Sequence, residues 1–132
     1  MYPAPMDQRT HLGISPTLVG VIDSLAAGIA TATLTATADM AADDRGLVHG
    51  SFTFGLADYA AMCAVNDPNV VLGGAATKFL APVAVGQTMV ATARVTGEKG
   101  RKRIVAVAVD VGDTTVMTGE FTCFVLDKHV LD

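Results

Sequence analysis

The sequence predicts an α+β domain in which one antiparallel sheet of five or six strands wraps around a single long helix. Six runs of residues alternate apolar and polar side chains or are rich in β-branched residues, which is the pattern of strands. One further stretch is rich in alanine, free of proline and apolar nearly all round, which is typical of a buried helix. The turns between the last four runs are short, as sequential antiparallel strands allow. A sheet wrapped on one apolar helix is an economical two-layer arrangement.

The first part of the chain is predicted to be a leader followed by two strands. Residues 1–15 are expected to be loose or strapped onto the domain, because their prolines exclude a continuous helix. Ser15 and Pro16 suit the cap and the first position of one short helical turn. The two strands are predicted over Val19–Leu25 and Ile29–Thr37, with the threonines of the second on one face and its alanines on the other.

The helix is predicted over Ser51–Val65, where Asp58 is the single charged residue. Four more strands are expected after it, and glycines and prolines mark the turns that separate them. The expected strands are Val70–Leu80, Thr88–Thr96, Ile104–Val111 and Thr115–Leu126, with turns at Pro82 to Gly86, Gly97–Gly100 and Gly112–Asp113.

Length and composition predict one domain over 1–132 that associates with copies of itself. The chain has 132 residues, which suits a single domain. Its residues are 51% hydrophobic and 17% charged, so the composition is apolar for a small protein. Some of that apolar surface is expected to meet another subunit. We expect a homodimer at least, and a homotetramer as the assembly.

Several classes of protein are disfavoured by composition. A net charge of −4 argues against nucleic-acid binding, which needs clustered cations. No apolar run reaches the roughly 18–20 residues of a membrane helix, and the amino terminus has no apolar signal core. Cys63 and Cys123 are far apart in the sequence and are expected to be buried, reduced thiols. A cytoplasmic protein without a metal site is therefore predicted.

The segment 46–66 carries the candidate chemistry. Gly46 and the pair His49-Gly50 end a polar loop, and the predicted helix begins at once. Backbone N–H groups at a helix start have no partners within the helix and carry the positive end of its dipole. Such a turn can hold an oxygen that gains negative charge. Asp58 is the second feature, because a carboxylate on a buried helix marks either a site or a structural hydrogen bond.

This segment resembles the hotdog-fold thioesterases of the phenylacetate-pathway and 4-hydroxybenzoyl-CoA type. Their pattern is G-x-x-H-G-G, an Asp nine residues after the His in a context like L-A-D-x-A, and then F-L-x-P-x-x-x-G. Here residues 46–51 read GLVHGS, residues 56–60 read LADYA and residues 79–86 read FLAPVAVG. The likeness covers residues 18–126. It implies a hotdog fold and the hydrolysis of acyl-coenzyme A thioesters, with coenzyme A as part of the substrate and no cofactor.

The resemblance also assigns roles. Asp58 would be the nucleophile or general base, the Gly50 N–H would hold the carbonyl oxygen, and His49 would orient the site. Asp43 stands six residues before His49, where the family often has an Asn or Asp that positions water or the thioester. Two departures are Ser51, where the family has glycine, and Leu72, where some members have a hydroxyl. Asp43 in place of an amide would repel Asp58 if the two were close.

In this family the active site forms between two subunits, so the partner's residues 73–79 would line the acyl tunnel. The substrate-binding residues expected there are Gly73, Gly74 and Thr77, with Ser51 at the helix start. The apolar Phe52, Phe54, Leu56 and Met62 are either core or tunnel residues. Four cations lie within five residues of this acidic chain: Lys99, Arg101, Lys102 and Arg103. They either bind the phosphates of coenzyme A or form a solvated turn.

Two alternatives stay open. Another hotdog enzyme, a hydratase or dehydratase, is suggested by Asp44, which stands five residues before His49, although the Asn-Pro of a D-x-N-P-x-H stretch is missing. A non-catalytic acyl-CoA binder, such as the effector domain of a regulator, is the other alternative. It would leave Asp58 without a purpose.

Overall fold

The structure is a computed structural model and describes residues 3–132. It confirms the hotdog fold, with a six-stranded antiparallel sheet curved around one helix. The elements are β1 (Val21–Ala26), β2 (Ile29–Thr35), a 3-10 turn (Ala38–Met40), α1 (Gly50–Val65), β3 (Val70–Phe79), β4 (Thr88–Lys99), β5 (Lys102–Val111) and β6 (Thr114–Val125). Within residues 3–132, no helix has the length and apolarity needed to span a membrane.

The strand order in the sheet is β1-β2-β4-β5-β6-β3, so β3 lies at an edge although it precedes β4 in the chain. The connection from β3 to β4 must therefore cross the start of α1. It is tied there by two backbone bonds: Val48 N–H donates to Val83 O (2.8 Å) and Val85 N–H donates to Gly46 O (2.9 Å). This crossing places residues 79–85 beside the first turn of the helix.

Small side chains allow α1 to lie close to the sheet. Ala30 and Ala32 of β2, and Ala91 and Ala93 of β4, are fully buried against the helix layer. The helix presents Ala57, Ala60 and Ala61 in return, and Leu56 and Met62 fill the remaining space. The predicted alternation in β2 is confirmed, and so is the burial of Cys63 and Cys123 as free thiols.

The predicted two-residue turn at Gly112–Asp113 is confirmed, with Gly112 at φ 56°. The prediction that Gly97 ends its strand is wrong. A β-bulge lies between Val95 and Gly97, and β4 continues to Lys99 before a tight turn at Gly100. The bulge absorbs one extra residue and lets the strand go on pairing with β5.

The leader is strapped onto the domain, and Asn66 at the end of α1 holds it. Asn66 has a left-handed backbone (φ 55°) and a buried side chain. Its Oδ1 accepts the N–H of Arg9 (2.8 Å) and its Nδ2 donates to the carbonyl of Asp7 (2.9 Å). Gln8 donates to the Tyr59 hydroxyl (3.1 Å), which adds a second attachment to the helix. The predicted turn at Ser15 also forms, since Leu18 N–H donates to the Ser15 hydroxyl (3.3 Å).

Replacing Asn66 tests this attachment. We expect Asn66→Ala to lower the free energy of unfolding by about 2–4 kcal/mol, because it removes two buried hydrogen bonds and places alanine in a left-handed conformation. Urea denaturation measures the change. Asn66→Gly should recover part of the loss because glycine accepts that backbone. Asn69→Ala is the control, since no hydrogen bond of the Asn69 side chain occurs within residues 3–132. A stability equal to wild type in Asn66→Ala would contradict the assignment.

Candidate active site

The turn before α1 is held in place from two sides. His49 N–H donates to Met40 O (2.9 Å) on one side, and Val48 and Leu47 bridge to the β3–β4 connection on the other. Asp43 shapes the preceding loop, because its Oδ1 accepts the N–H groups of Arg45 (2.9 Å) and Leu47 (3.1 Å). The backbone that presents Gly50 is therefore fixed before any substrate arrives. The predicted role of Asp43 toward water or thioester stays a prediction.

Gly50 is the first residue of α1, and its N–H and that of Ser51 have no hydrogen-bond partner within residues 3–132. The side chains of His49 and Ser51 are exposed and form no hydrogen bond with the described residues. Two unpaired N–H groups at the positive end of a helix can stabilise an oxyanion. The geometry of this turn fits the role predicted for Gly50 and leaves the roles of His49 and Ser51 as predictions.

Asp58 lies on the less buried side of α1, facing the β6–β3 side of the sheet. Its Oδ1 is buried and has no hydrogen-bond partner in the described part of the chain. Burial raises the pKa of this carboxyl above its ordinary value. No neighbouring charge contributes, so the expected repulsion by Asp43 is not a cause of the shift. A desolvated, unpaired carboxylate is what a nucleophile or general base requires.

Strand residues around Asp58 come from β6 and the edge strand β3. Burial, and after it the charge of Asp58, raises the pKa of Cys123 to about 11. Cys123 therefore lies near the carboxylate, and it pairs in register with Leu72. The next residue, Gly73, forms a bulge in β3, where a β-carbon would lie 2.3 Å from the Phe124 ring. The side of Gly73 that lacks a β-carbon thus faces Phe124, whereas Leu72 pairs with Cys123 and offers no hydroxyl there. The predicted substrate-binding roles of Gly73 and Gly74 stay predictions.

Thr77 is placed on the same side of the sheet as Asp58. It pairs with Gly119, and residues paired across antiparallel strands share a face. The neighbouring pair partners on β6, Phe121 and Cys123, are fully buried against the helix layer. Phe54 packs against Phe121, with ring centroids 5.5 Å apart and the ring planes tilted by 42°. Of the apolar candidates, Leu56 and Met62 are core residues, whereas Phe52 and Phe54 are partly buried at its margin.

Gly50 and Asp58 do not meet within one chain. They are eight residues apart on α1, which is about 12 Å along the helix axis. An attacking oxygen and an oxyanion donor must both lie within about 3–3.5 Å of the reacting carbonyl group. One subunit therefore cannot supply both groups to the same thioester.

Two cavities adjoin the start of α1. The first has a volume of about 400 Å³ and lies between Gly50, Thr53 and the residues from Phe79 to Val83. The second, of about 440 Å³, lies against the Asp43–Leu47 loop and Gln87. Both cavities have Pro82 and Val83 in their linings, so both lie along the β3–β4 connection. Arg45 is not among the predicted site residues, and Phe79 is predicted only as the last of the partner's residues 73–79 that line the acyl tunnel.

The basic hairpin lies at the other end of the molecule. Its Arg101 carbonyl accepts from Val125 N–H, and the adjacent Leu126 N–H donates to Asn69 beyond the end of α1. Arg101 pairs with Asp127, and Arg103 pairs with Glu98 (3.3 Å). Lys99 and Lys102 form no ion pair with residues 3–132. Within one subunit, the hairpin and the Gly50 turn are separated by the length of the helix, about 24 Å.

Comparison with known proteins places the fold. The structure matches the uncharacterised protein PH1136 of Pyrococcus horikoshii with a TM-score of 0.97 and 50% identity, over 98% of this chain and 99% of that one. It also matches PaaI of the E. coli phenylacetic acid degradation operon, with a TM-score of 0.76 and 27% identity over 83% and 80% of the two chains. The chain belongs to the hotdog-fold superfamily. Within it, the chain shares a family with PH1136, and it is similar to the PaaI-like proteins.

Curated relatives match only with part of their length. The Aquifex aeolicus protein named methylthioribose-1-phosphate isomerase is 51% identical over 123 residues, which are 92% of this chain and 27% of that protein. The transcription factor FapR of a Thermoanaerobacter species is 32% identical over 95 residues, which are 72% of this chain and 48% of FapR. The chain thus spans about a quarter to a half of these relatives. No family model matches the sequence.

Substituting Asp58 tests its desolvation. A carboxyl whose folded-state pKa is raised costs stability when ionised, fully so above the folded pKa, and the cost vanishes below the unfolded pKa. We therefore expect Asp58→Asn to melt higher than wild type at pH 7, by roughly 2–5 °C. The difference should shrink as the pH falls toward 4. Thermal melts at several pH values measure it, with Asp113→Asn on an exposed turn as the control. A wild type that is more stable than Asp58→Asn at pH 7 contradicts the environment described.

Proposed function

We propose that the chain hydrolyses acyl-coenzyme A thioesters to the free acid and coenzyme A in the cytoplasm. The observation that carries the proposal is Asp58, a desolvated carboxylate that has an unpaired oxygen within residues 3–132 and lies near Cys123 of β6. The free N–H groups at the start of α1 supply the complementary device for the carbonyl oxygen. The resemblance of residues 46–86 to the hotdog-fold thioesterases supports the choice of a thioester over other acyl compounds, and the match to PaaI of the phenylacetic acid degradation operon agrees with it.

The active site is composite in this proposal. Strand β3 pairs with β6 on one side, and its other edge has no partner strand in residues 3–132. A second copy can add its own β3 there by antiparallel pairing. The two helices would then run in opposite directions, which lets the Gly50 turn of one subunit face the Asp58 side of the partner's helix. In such a dimer the Gly50 N–H and the Asp58 carboxylate of one active site come from different subunits. The separation of about 12 Å between them within one chain then does not keep them from the same thioester.

The reaction follows from these groups. Asp58 either attacks the thioester carbon or takes a proton from a water molecule that attacks it. The carbonyl oxygen becomes an oxyanion, and the Gly50 N–H of the other subunit stabilises it. The carbon–sulfur bond then breaks and the coenzyme A thiolate leaves and is protonated. If an acyl-Asp58 anhydride forms, water hydrolyses it, and both routes consume one water per thioester.

A second candidate is an acyl-CoA-binding module without catalysis. The similarity to the transcription factor FapR over 95 residues favours it, since the chain matches a part of that regulator. In this case the two cavities beside the start of α1 bind an acyl thioester and Asp58 does not act on it. Saturable binding without thiol release, unaltered in Asp58→Asn, would support this candidate.

The hydratase alternative is tested in the same preparation. A loss of absorbance at the enone band of an enoyl-CoA would show that water is added to the double bond.

The main test is a thiol-release assay with short, medium, long and aromatic acyl-CoAs. We expect Asp58→Asn and Asp58→Ala to lower turnover at least about 10²-fold, because a positioned base contributes on that scale. Wild-type kcat/KM should fall as the pH drops through a value above the ordinary pKa of 3.8, because burial raises the pKa of Asp58. Circular dichroism controls for folding. A folded Asp58 variant with wild-type turnover would contradict the proposed mechanism.

Mixed subunits test the composite site. Gly50→Pro removes the N–H at the first helical position, where proline is well tolerated, and Gly50→Ala is the matched control that keeps the N–H. Each of Asp58→Asn and Gly50→Pro alone should be inactive. Co-refolding the two should restore about a quarter of wild-type activity, since half of the random dimers are mixed and each holds one intact site. No recovery in a preparation shown to contain mixed dimers would contradict the composite site.

A separate experiment tests whether the basic hairpin, residues 99–103, binds coenzyme A. Since its two arginines are already paired with acids, the cleaner change is Lys99→Glu with Lys102→Glu. If a partner's hairpin reaches the coenzyme A phosphates, KM for acyl-CoA should rise about tenfold, with kcat unchanged and a weaker salt dependence. Arg45→Glu, beside the second cavity, is the comparison for a phosphate contact near the Asp43 loop. An unchanged KM in the lysine pair and in a charge reversal of Arg101 and Arg103 would remove the hairpin from the site.

A further inference from the structure

We infer that the cavity beside Gly50 receives the acyl group, that it selects uncharged aliphatic groups, and that Phe79 is the specificity-determining residue at its mouth. This rests on the proposed binding of a thioester at the Gly50 turn. It adds the substrate class and gives a specific role to Phe79, which the family resemblance includes only as one of the partner's residues 73–79 in the tunnel lining.

The lining of the cavity is aliphatic. Its walls include Val48, Val83 and Val116, which are buried, together with Leu80 and Ala81. The one polar side chain is that of Thr53, whose hydroxyl already donates to the Met89 sulfur (3.3 Å). No charged side chain of the described residues lines it. A carboxylate at the end of an acyl group, as in a succinyl group, would be desolvated there without a cation.

The adjoining cavity sets the direction of the substrate. Asp43, Arg45 and Gln87 line it, and it shares Pro82 and Val83 with the lining of the first cavity. The Oε1 of Gln87 accepts the N–H of Ala84 (2.9 Å), and its amide protons form no hydrogen bond with the described residues. Amide donors and a free arginine suit the polar arm of coenzyme A. The thioester at Gly50 therefore points its acyl group away from this end, into the aliphatic cavity.

Phe79 lies directly on the helix start. A β-carbon built on Gly50 would lie 3.4 Å from Cε1 of the Phe79 ring, so the ring packs on the glycine where another residue would have a side chain. Phe79 is nevertheless 54% exposed, at the end of β3 and in the wall of the cavity. An exposed aromatic face next to an N–H pair gains contact area when an acyl chain covers it. Because the ring borders the reacting carbonyl, its size limits the acyl group there.

Binding of non-hydrolysable thioether analogues tests the inference without depending on hydrolysis. Calorimetry would compare acetyl, butanoyl, hexanoyl, decanoyl and succinyl analogues of coenzyme A. We expect wild type to bind the butanoyl analogue at least about tenfold more tightly than the succinyl analogue, because of the uncompensated carboxylate. We expect Phe79→Ala to weaken butanoyl binding about tenfold and to shift the preferred chain length upward. Phe79→Leu should lie between the two, and Leu131→Ala, at an exposed position away from the cavity, is the control.

The outcomes separate the two proposals. Equal affinity for butanoyl and succinyl analogues, or the same chain-length profile in Phe79→Ala and wild type, overturns the inference. Absence of binding to every analogue overturns it as well. If the Phe79→Ala protein fails to fold, Phe79→Leu and the wild-type selectivity decide. Selective binding with the predicted Phe79 effect, but without thiol release from any acyl-CoA, leaves the inference standing and overturns the proposed hydrolysis alone.

Discussion

Helix α1 is buried in the concave face of the sheet along most of its length, and the other features of the molecule depend on that contact. Alanines on both layers make the close approach possible, and Leu56 and Met62 lock the helix between β2, β4 and β5. A polar group on such a helix has to be paired, solvated or functional. Asp58 lacks a partner within residues 3–132, so the packing that stabilises the domain also creates the environment of the carboxylate. The packing of the helix and the raised pKa of Asp58 therefore have the same physical origin, which is burial.

Most of the fold could be predicted because period-two alternation reports directly which side of a strand is buried. The alanines of β2 were predicted to share one face and its threonines the other, and Ala30 and Ala32 are buried. The end of a strand was less predictable where pairing with a neighbouring strand determines it. The bulge before Gly97 is set by pairing with Ile104, which no local pattern reveals. The position of β3 at the edge depends likewise on how its connection crosses the helix start.

The residues of the candidate site could be predicted from the sequence, but their arrangement in space could not. Gly50 and Asp58 share one short segment, yet the rise of the helix separates them by about 12 Å. Phe79 is 29 positions from the glycine that it covers, and Arg101 pairs with Asp127 from a different turn. Such contacts arise from the order of strands, which the sequence pattern leaves open. The motif indicates the candidate groups, and the order of the strands decides which of them can lie close enough to act together.

The β3 edge that has no partner strand within residues 3–132 and the two buried thiols differ in how accessible they are to other molecules. An unpaired strand edge invites association, and its glycines and alanines make that edge easy to approach. The two cysteines, in contrast, are closed off: burial raises the pKa of Cys63 to about 12 and, with the charge of Asp58, that of Cys123 to about 11. Thiolates are the reactive species, so neither sulfur will react readily with disulfide reagents while the domain is folded. A chromogenic thiol reagent in solution with the folded protein therefore reports sulfur released from a substrate, and a slow colour change without substrate measures unfolding.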